Sequence, residues 1–351
     1  MSEYQLRLMA DLGLEPPNAE KLVLTLEDKE KYVVYYKNLQ FYLSQGLRLK
    51  KVHRVIEVDQ EPWMEPYIRM NTEFRKQAKS DFETDFYKLM NDSLFGKTME
   101  NLRNRVDVKI MRAWEANKIR KLVSDPSYDR FKVFSNDMAD IHMHKRWLVL
   151  NKLVYTGMTI LENSKLLKYD FYYNHQKARY GPRCELIYTD TDSLLLEIQT
   201  EDVYKDMKEH SWLYNTSNYA KDHPLYDARN KKVLGKMRDE CGGEPIEEVV
   251  ALRPNMYSIK KAKSNVKKAK GVKKNVIEKQ ITHEHYKEAL FGRKQYMHKI
   301  KILRSEGHEM YGMCMNKTSI SPFDTKHWIA GDGVHTLAYG HRAIRPAGAA
   351  Y

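Results

Sequence analysis

Residues 184–198 read CELIYTDTDSLLLEI. Two apolar runs enclose a polar centre, a pattern that predicts two short strands joined by a tight turn. Asp190 and Asp192 stand at its tip. They are two residues apart, so on an extended backbone both face one side. Crowding two like charges is costly without a counter-cation. Magnesium resolves that conflict, because it takes oxygen ligands together with substrate phosphates. Both residues are therefore candidate metal ligands and catalytic acids. The ordinary alternative is a solvated turn, since Asp, Thr and Ser are common turn residues.

Outward from this centre, the chain alternates between helical and strand patterns. On the N-terminal side, 159–180 predicts a long helix with Leu161, Ser164, Leu167 and Phe171 on one face. Before it, VDVKIM (106–111), RFKVFSN (130–136) and DIHMHKRWLVL (140–150) alternate as strands. Two helices are predicted over 61–79 and 82–102, close enough to fold back on each other. Phe82, Phe86, Leu89 and Ser93 share one face of the second helix, and Trp63, Met64, Tyr67 and Ile68 should pack between the two. Residues 31–49 predict a strand running into a helix closed by Gly46, and VHRVIEV (52–58) predicts a half-buried strand. The first 30 residues show only a loop, LEPPNAEK (14–21).

On the C-terminal side, 201–214 predicts a helix, KKVLGKM (231–237) and PIEEVVAL (245–252) strands, and 282–305 a further helix. The segment 259–279 carries nine lysines and one acid. Such a run is either a solvated face or a phosphate-binding one. The last ten residues predict a frayed tail. The pairs His142/His144 and His283/His285 lack a third ligand nearby and are read as non-metal.

The 351 residues predict two or three compact units. Hydrophobic residues make up 42 % and charged residues 30 %, which excludes a disordered chain. No apolar stretch approaches the roughly 20 residues of a membrane span. MSEYQLRLMADLGL lacks the charge pattern of a signal peptide. Cys184, Cys241 and Cys314 lie too far apart for a disulfide framework or a CxxC zinc site. An intracellular protein is expected. The 60 Lys and Arg against 47 Asp and Glu give a net +13, which points to a polyanion. Nucleic acid is favoured over a membrane surface, because no basic amphipathic helix stands out.

YTDTDS (188–193) between apolar strands resembles motif C of the family-B DNA polymerases. Lys88, Asp92, Phe95 and Gly96 in KLMNDSLFG resemble motif B, KxxxNSxYG. Spacing supports this independently, for Lys88, Asp92 and Phe95 fall on one helical stripe. KLMNDSLFGKTMENLRNR, YDFYYN, DTDSLLLEI, TSNYAKDHPL and THEHYKEALF look like the polymerases of Polinton (Maverick) transposons and related protein-primed viruses and plasmids. The resemblance runs from about Pro17 to Tyr339.

It implies an α+β fold with an antiparallel palm, helical-hairpin fingers and a C-terminal thumb. The divisions would be 1–60 as a remnant before the fingers, 61–105 fingers, 106–258 palm, 259–340 thumb and 341–351 tail. The implied activity is template-directed DNA synthesis from dNTPs with two Mg²⁺ ions held by Asp192 and Asp190. Lys88 and Arg75 would bind the triphosphate, and Phe95 would pack near the nascent base pair. Tyr257 and the lysine run, notably Lys267, Lys268, Lys270, Gly271 and Lys273, would hold primer–template DNA. A terminal protein primer, and a nucleus or viral replication site, follow by the same implication.

Three departures temper this. No DxxSLYP-like string, the source of a further metal-binding Asp, precedes Lys88, so motif A and the exonuclease domain are expected to be missing. The motif B Asn is Asp92, whose charge would repel a triphosphate. The family's KxY motif is Asn255-Met256-Tyr257, without its lysine. A non-catalytic DNA-binding remnant is the alternative. A reverse-transcriptase-like palm would need a YxDD turn, which YTDTDS does not fit.

Overall fold

In chain order the longer strands are β1 (Val106–Arg112), β2 (Tyr128–Ser135), β3 (Met138–His144), β4 (Cys184–Asp190), β5 (Ser193–Ile198), β6 (Ile246–Arg253), β7 (Met256–Lys261), β8 (Asn265–Ala269), β9 (Tyr296–Glu306) and β10 (Glu309–Ile320). They belong to a computed structural model that describes residues 1–15, 20, 22–306 and 309–344. The fold is α+β. Its sheets β1-β3-β2, β4-β5 and β6-β7-β8 are all antiparallel. The chain forms two compact units. One comprises 1–34, 164–302 and 313–351, the other 35–163 and 303–312. The second unit holds both the helical hairpin and the β1-β3-β2 sheet, which the sequence divisions separate.

In the first unit, β6 and β7 are joined by Pro254 and Asn255. Asn255 takes a left-handed conformation (φ +60°) that a polar side chain tolerates. Val250, Leu252, Met256 and Ala269 from the sheet meet Ile281, Tyr286 and Ala289, and together with Ile320 they form the main core. Tyr286 and Met256 are fully buried. The His283–Gly292 helix supplying Tyr286 begins at a Thr282/His285 capping box and stops at left-handed Arg293. A smaller cluster of Tyr172, Tyr180 and Cys184 packs under Leu194, Leu196 and Ile198 of β5.

In the second unit, Met111, Ile141 and Met143 pack against Ile119 and Leu122 of the Ala116–Val123 helix. The Glu65–Gln77 and Asp81–Thr98 helices fold back on each other, with the Phe74 and Tyr87 rings 5.2 Å apart. Ser80 caps the second helix by accepting from the Glu83 N–H, and Pro66 lies in the first turn of the other.

Several expectations need correction. VHRVIEV is an exposed segment outside any sheet, because among the described residues no strand lies alongside to accept its hydrogen bonds. Residues 31–35 are likewise irregular before the Tyr36–Ser44 helix, and 231–237 form turns in place of a strand. β3 ends at His144, so 145–150 continue as an exposed, irregular segment. Helix 282–305 stops at Gly292, and Tyr296–Glu306 is a strand whose period-two alternation buries Ile300. The predicted 201–214 helix covers only Val203–Glu209, followed by a short 3₁₀ turn at Ser211–Leu213. Phe82, Phe86 and Leu89 are exposed. The inward stripe of that helix is Thr84, Tyr87, Asn91, Leu94 and Thr98. Trp63 is also exposed, so it does not pack between the helices.

The 159–180 prediction becomes an α-helix from Val154 to Asp170, continued by a π-helical stretch, Phe171–Lys177. Leu161, Ser164 and Leu167 face outward, while Lys168, Phe171 and Tyr172 are buried. The N-terminus holds an unpredicted helix, Glu3–Asp11, capped by Ser2 and Gln5. Parts of LEPPNAEK and of the tail lie outside the described residues. Among the described residues no helix is long and apolar enough to cross a membrane.

Candidate active site

The acidic turn is held by its own backbone and hydroxyls. Asp190 pairs with Ser193, so Thr191 and Asp192 form the two-residue loop, with Thr191 at φ +40°. The Ser193 hydroxyl donates to the Asp190 carbonyl at 3.0 Å, and Thr191 donates to Asp190 Oδ1 at 3.1 Å. This changes the sequence argument. Asp190 ends a strand and is half-buried, whereas Asp192 is an exposed turn residue. Their placement comes from the turn, not from strand alternation. Upstream, the register shifts between Leu186 and Tyr188, and the bulge at Ile187 sets which side Tyr188 presents.

A lysine absent from the sequence reading faces this turn. Lys168 is only 8 % exposed, yet its Nζ donates to Thr189 Oγ1 at 3.0 Å. Thr189 in turn donates to the Ser193 carbonyl at 3.0 Å. Burial pushes the Lys168 pKa down, opposed by the charges of Asp190 and Asp192. The sequence signal was a lysine on the same helical stripe as Phe171 and Tyr172, where an unpartnered charge is rare.

Behind the acids stand two tyrosines from distant segments. The Tyr188 and Tyr257 rings lie 4.7 Å apart, and the Tyr188 hydroxyl is 3.5 Å from Asn255 Oδ1. Burial, then the neighbouring Asp190 carboxylate, pushes the Tyr188 phenol up to about 12. Burial also raises Tyr257. Tyr257 pairs across the sheet with Lys268. The Lys270 N–H donates to the Asn255 carbonyl at 2.9 Å, tying the Lys270–Gly271 turn to the Asn255 turn. Gly271 has φ +78°, and the Lys317 ammonium reaches its carbonyl at 2.9 Å. The structure thus brings together Asp190, Asp192, Tyr257, Lys268, Lys270 and Gly271, adding Lys168, Tyr188 and Lys317.

The lysine run is ordered structure, and its members differ. Lys267 gives its ammonium to the carbonyls of Glu278 and Ile281 at the end of the Lys274–Gln280 helix. Lys260, Lys261 and Lys274 pair with Glu247, Glu244 and Glu278. Lys268, Lys270 and Lys273 are exposed, and among the described residues no ion pair engages them. With Lys263 and Lys279, which are likewise exposed and outside any ion pair among the described residues, these are the cations of the run open to a phosphate.

Within the second unit, Lys88, Asp92 and Gly96 lie exposed along the Asp81–Thr98 helix, and Phe95 is half-buried. A side chain at Gly96 would meet nothing within 4 Å, so a ligand can approach its backbone there. The i, i+4 spacing of Lys88 and Asp92 permits an ion pair, but among the described residues none joins them. On the neighbouring helix Arg75 is half-buried, while Arg69 and Lys76 pair with Glu65 and Glu73.

His142 is buried against Asp140 at 2.9 Å, and His283 against Ser258 at 2.8 Å. Among the described residues no group of three or more His, Cys, Asp or Glu could together hold a metal ion. Asp190 and Asp192 offer hard oxygen donors, one half-buried and one exposed, which suits magnesium completed by water and phosphate oxygens. Compared with protein-family models, with curated proteins and with solved structures, the chain matches none.

Proposed function

We propose that this chain is a nucleotidyltransferase module of the family-B DNA polymerase kind, of the protein-primed type, acting on primer–template DNA and dNTPs. The supporting observation is the meeting of the acidic turn with the lysine-bearing β7-β8 edge through the Tyr188–Tyr257 contact. A carboxylate pair beside a cationic, aromatic surface is what phosphoryl transfer on a polyanion requires. In this reading the first unit supplies palm and thumb, and the helical hairpin supplies fingers.

Asp190 and Asp192 would hold magnesium, which neutralises charge on the transferring phosphoryl group. The chain's own residues do the rest. By the motif B resemblance, Lys88 and Arg75 of the second unit would bind a triphosphate and Phe95 would pack against a base pair, with Gly96 open beside them. Lys268, Lys270 and Lys273 take backbone phosphates, and Tyr257 positions the primer end. Lys267, assigned to DNA by the resemblance, is withdrawn from that role by its helix-capping bonds.

A second reading is a DNA-binding protein without catalysis. It is favoured by Lys168, whose ammonium, bonded to Thr189 beside the turn, offsets part of the aspartates' charge without any metal. Two-metal transfer uses a further carboxylate, so slow extension is expected from the 351-residue chain alone. Primer extension with Mg²⁺ separates the readings. Template-dependent addition that falls about a thousandfold in Asp192→Ala supports the first. DNA binding with extension indifferent to Asp192 supports the second.

A further inference from the structure

Among the described residues, Lys168 is the one buried lysine, and its ammonium faces the acidic turn. Its helix enters from the N-terminal side, and a single hydrogen bond to Thr189 Oγ1 fixes it there. Thr189 is already committed as donor to the Ser193 carbonyl, so its oxygen is left to accept from Lys168. The ammonium cannot swing to solvent without abandoning that bond and exposing a site that is 8 % accessible. Two aspartates and one lysine leave the site with a net charge near −1. Such a site attracts a hydrated dication only weakly, because the ion's own water must be replaced by few and partly neutralised oxygens.

We infer that Lys168 is a built-in counter-cation that makes the Asp190–Asp192 site select a metal–triphosphate complex over the free metal ion. The inference rests on the proposed nucleotidyl-transfer reading for its ligand, but its charge argument concerns only this chain's side chains. A free ion must displace water against the lysine's field. An ion arriving with a triphosphate brings its own oxygen ligands and an excess of negative charge, which the ammonium attracts. The same lysine that repels the bare ion thus favours the loaded one. Lys168 acts through the carboxylates and the phosphate charge, and is a positioning residue.

Mn²⁺ titration of the full chain, read by the electron paramagnetic signal of the free ion, tests this without any turnover. Wild type should bind Mn²⁺ weakly alone and more tightly with a dNTP present. Lys168→Met should tighten binding of Mn²⁺ alone by about tenfold or more, the effect of losing one fixed charge near a dication. It should also shrink the advantage that dNTP confers. Lys168→Arg should keep the wild-type pattern, and Asp190→Asn with Asp192→Asn should abolish binding in every background. Thr189→Val, which removes the anchor and leaves all charges, should move part of the way towards Lys168→Met and serves if that variant does not fold. Unchanged or weaker Mn²⁺ binding in both Lys168→Met and Thr189→Val overturns the inference. Tighter Mn²⁺ binding with no effect of dNTP keeps the counter-cation and removes the triphosphate selectivity. That outcome, with no DNA binding, would instead count against the polymerase reading.

Discussion

The acidic hairpin of residues 184–198 and the helical hairpin of residues 65–98 carry the two motifs that the sequence singled out, and they are built in opposite ways. Around the acids, partners come from far along the chain. Lys168 bonds Thr189 from 21 residues away, and Tyr188 meets Asn255 across 67. In the helical hairpin most named contacts are local, such as Arg69 with Glu65, Lys76 with Glu73 and Ser80 with Glu83. Its aromatic residues Phe82 and Phe86 stack on each other at 6.3 Å while remaining exposed. Long-range partners over-determine a side chain's position, whereas i, i+4 pairs contribute only tenths of a kcal/mol each. The first region is held by contacts from distant segments. The second offers a surface.

The sharpest way to break that contrast is stability. Met256→Ala opens a cavity beneath the Tyr257 strand and should cost about 2–5 kcal/mol. Phe82→Ala should stay within about 0.5 kcal/mol. Urea unfolding followed by tryptophan fluorescence and circular dichroism measures both, and equal losses would erase the distinction. Next in size is the lysine surface. Replacing Lys268, Lys270 and Lys273 with Ala should flatten the log–log salt dependence of duplex DNA binding by about three units. Lys267→Ala should leave the slope alone and lower stability by about 1 kcal/mol through lost helix capping. A slope change with Lys267 as large as for the others would show that its carbonyl bonds break on DNA.

A smaller effect belongs to the exposed helix. Asp92→Asn removes a negative charge beside Lys88 and should tighten dNTP binding by about 1 kcal/mol, with solvent screening the rest. Isothermal titration with Mg²⁺ and a dNTP reads it, and a loss of affinity would mean that Asp92 helps hold the ion. The least effect is the coupling of Tyr188 and Tyr257. A double-mutant cycle with leucine at each position should give about 0.5–1.5 kcal/mol. A coupling near zero would reduce the ring contact to mere proximity.

Legibility followed the same contrast. The acidic hairpin was readable because its apolar runs and polar centre leave one arrangement open, and its turn fell where the polar residues stand. β1, β2 and the core of β6 were readable for the same reason, since the strand pattern there meets a neighbouring strand, while the α+β class came from the family resemblance. VHRVIEV shows the limit of that reasoning, because alternation alone cannot supply a partner. Residues 296–305 read as helix only when the pattern of 283–292 is extended past Gly292, whereas Lys299, Ile300 and Lys301 alternate as a strand does. The apolar face of residues 82–93 was misjudged because a stripe of Phe and Leu says nothing about whether anything covers it. Lys168 left a signal in its helical stripe with Phe171 and Tyr172, but its partner Thr189 and the Tyr188–Tyr257 contact could not be read, for both depend on segments folded together from a distance.

In the proposed function, Asp190, Asp192 and the tyrosine–lysine surface together hold a templated nucleotide. The most direct measurement is retention of each of the four dNTPs by the chain on a dideoxy-terminated primer–template with Mg²⁺, which needs no turnover. Only the dNTP matching the template base should be retained, and Asp192→Asn should abolish this preference while leaving DNA binding intact. Equal retention of all four dNTPs, or a preference that survives Asp192→Asn, would contradict it.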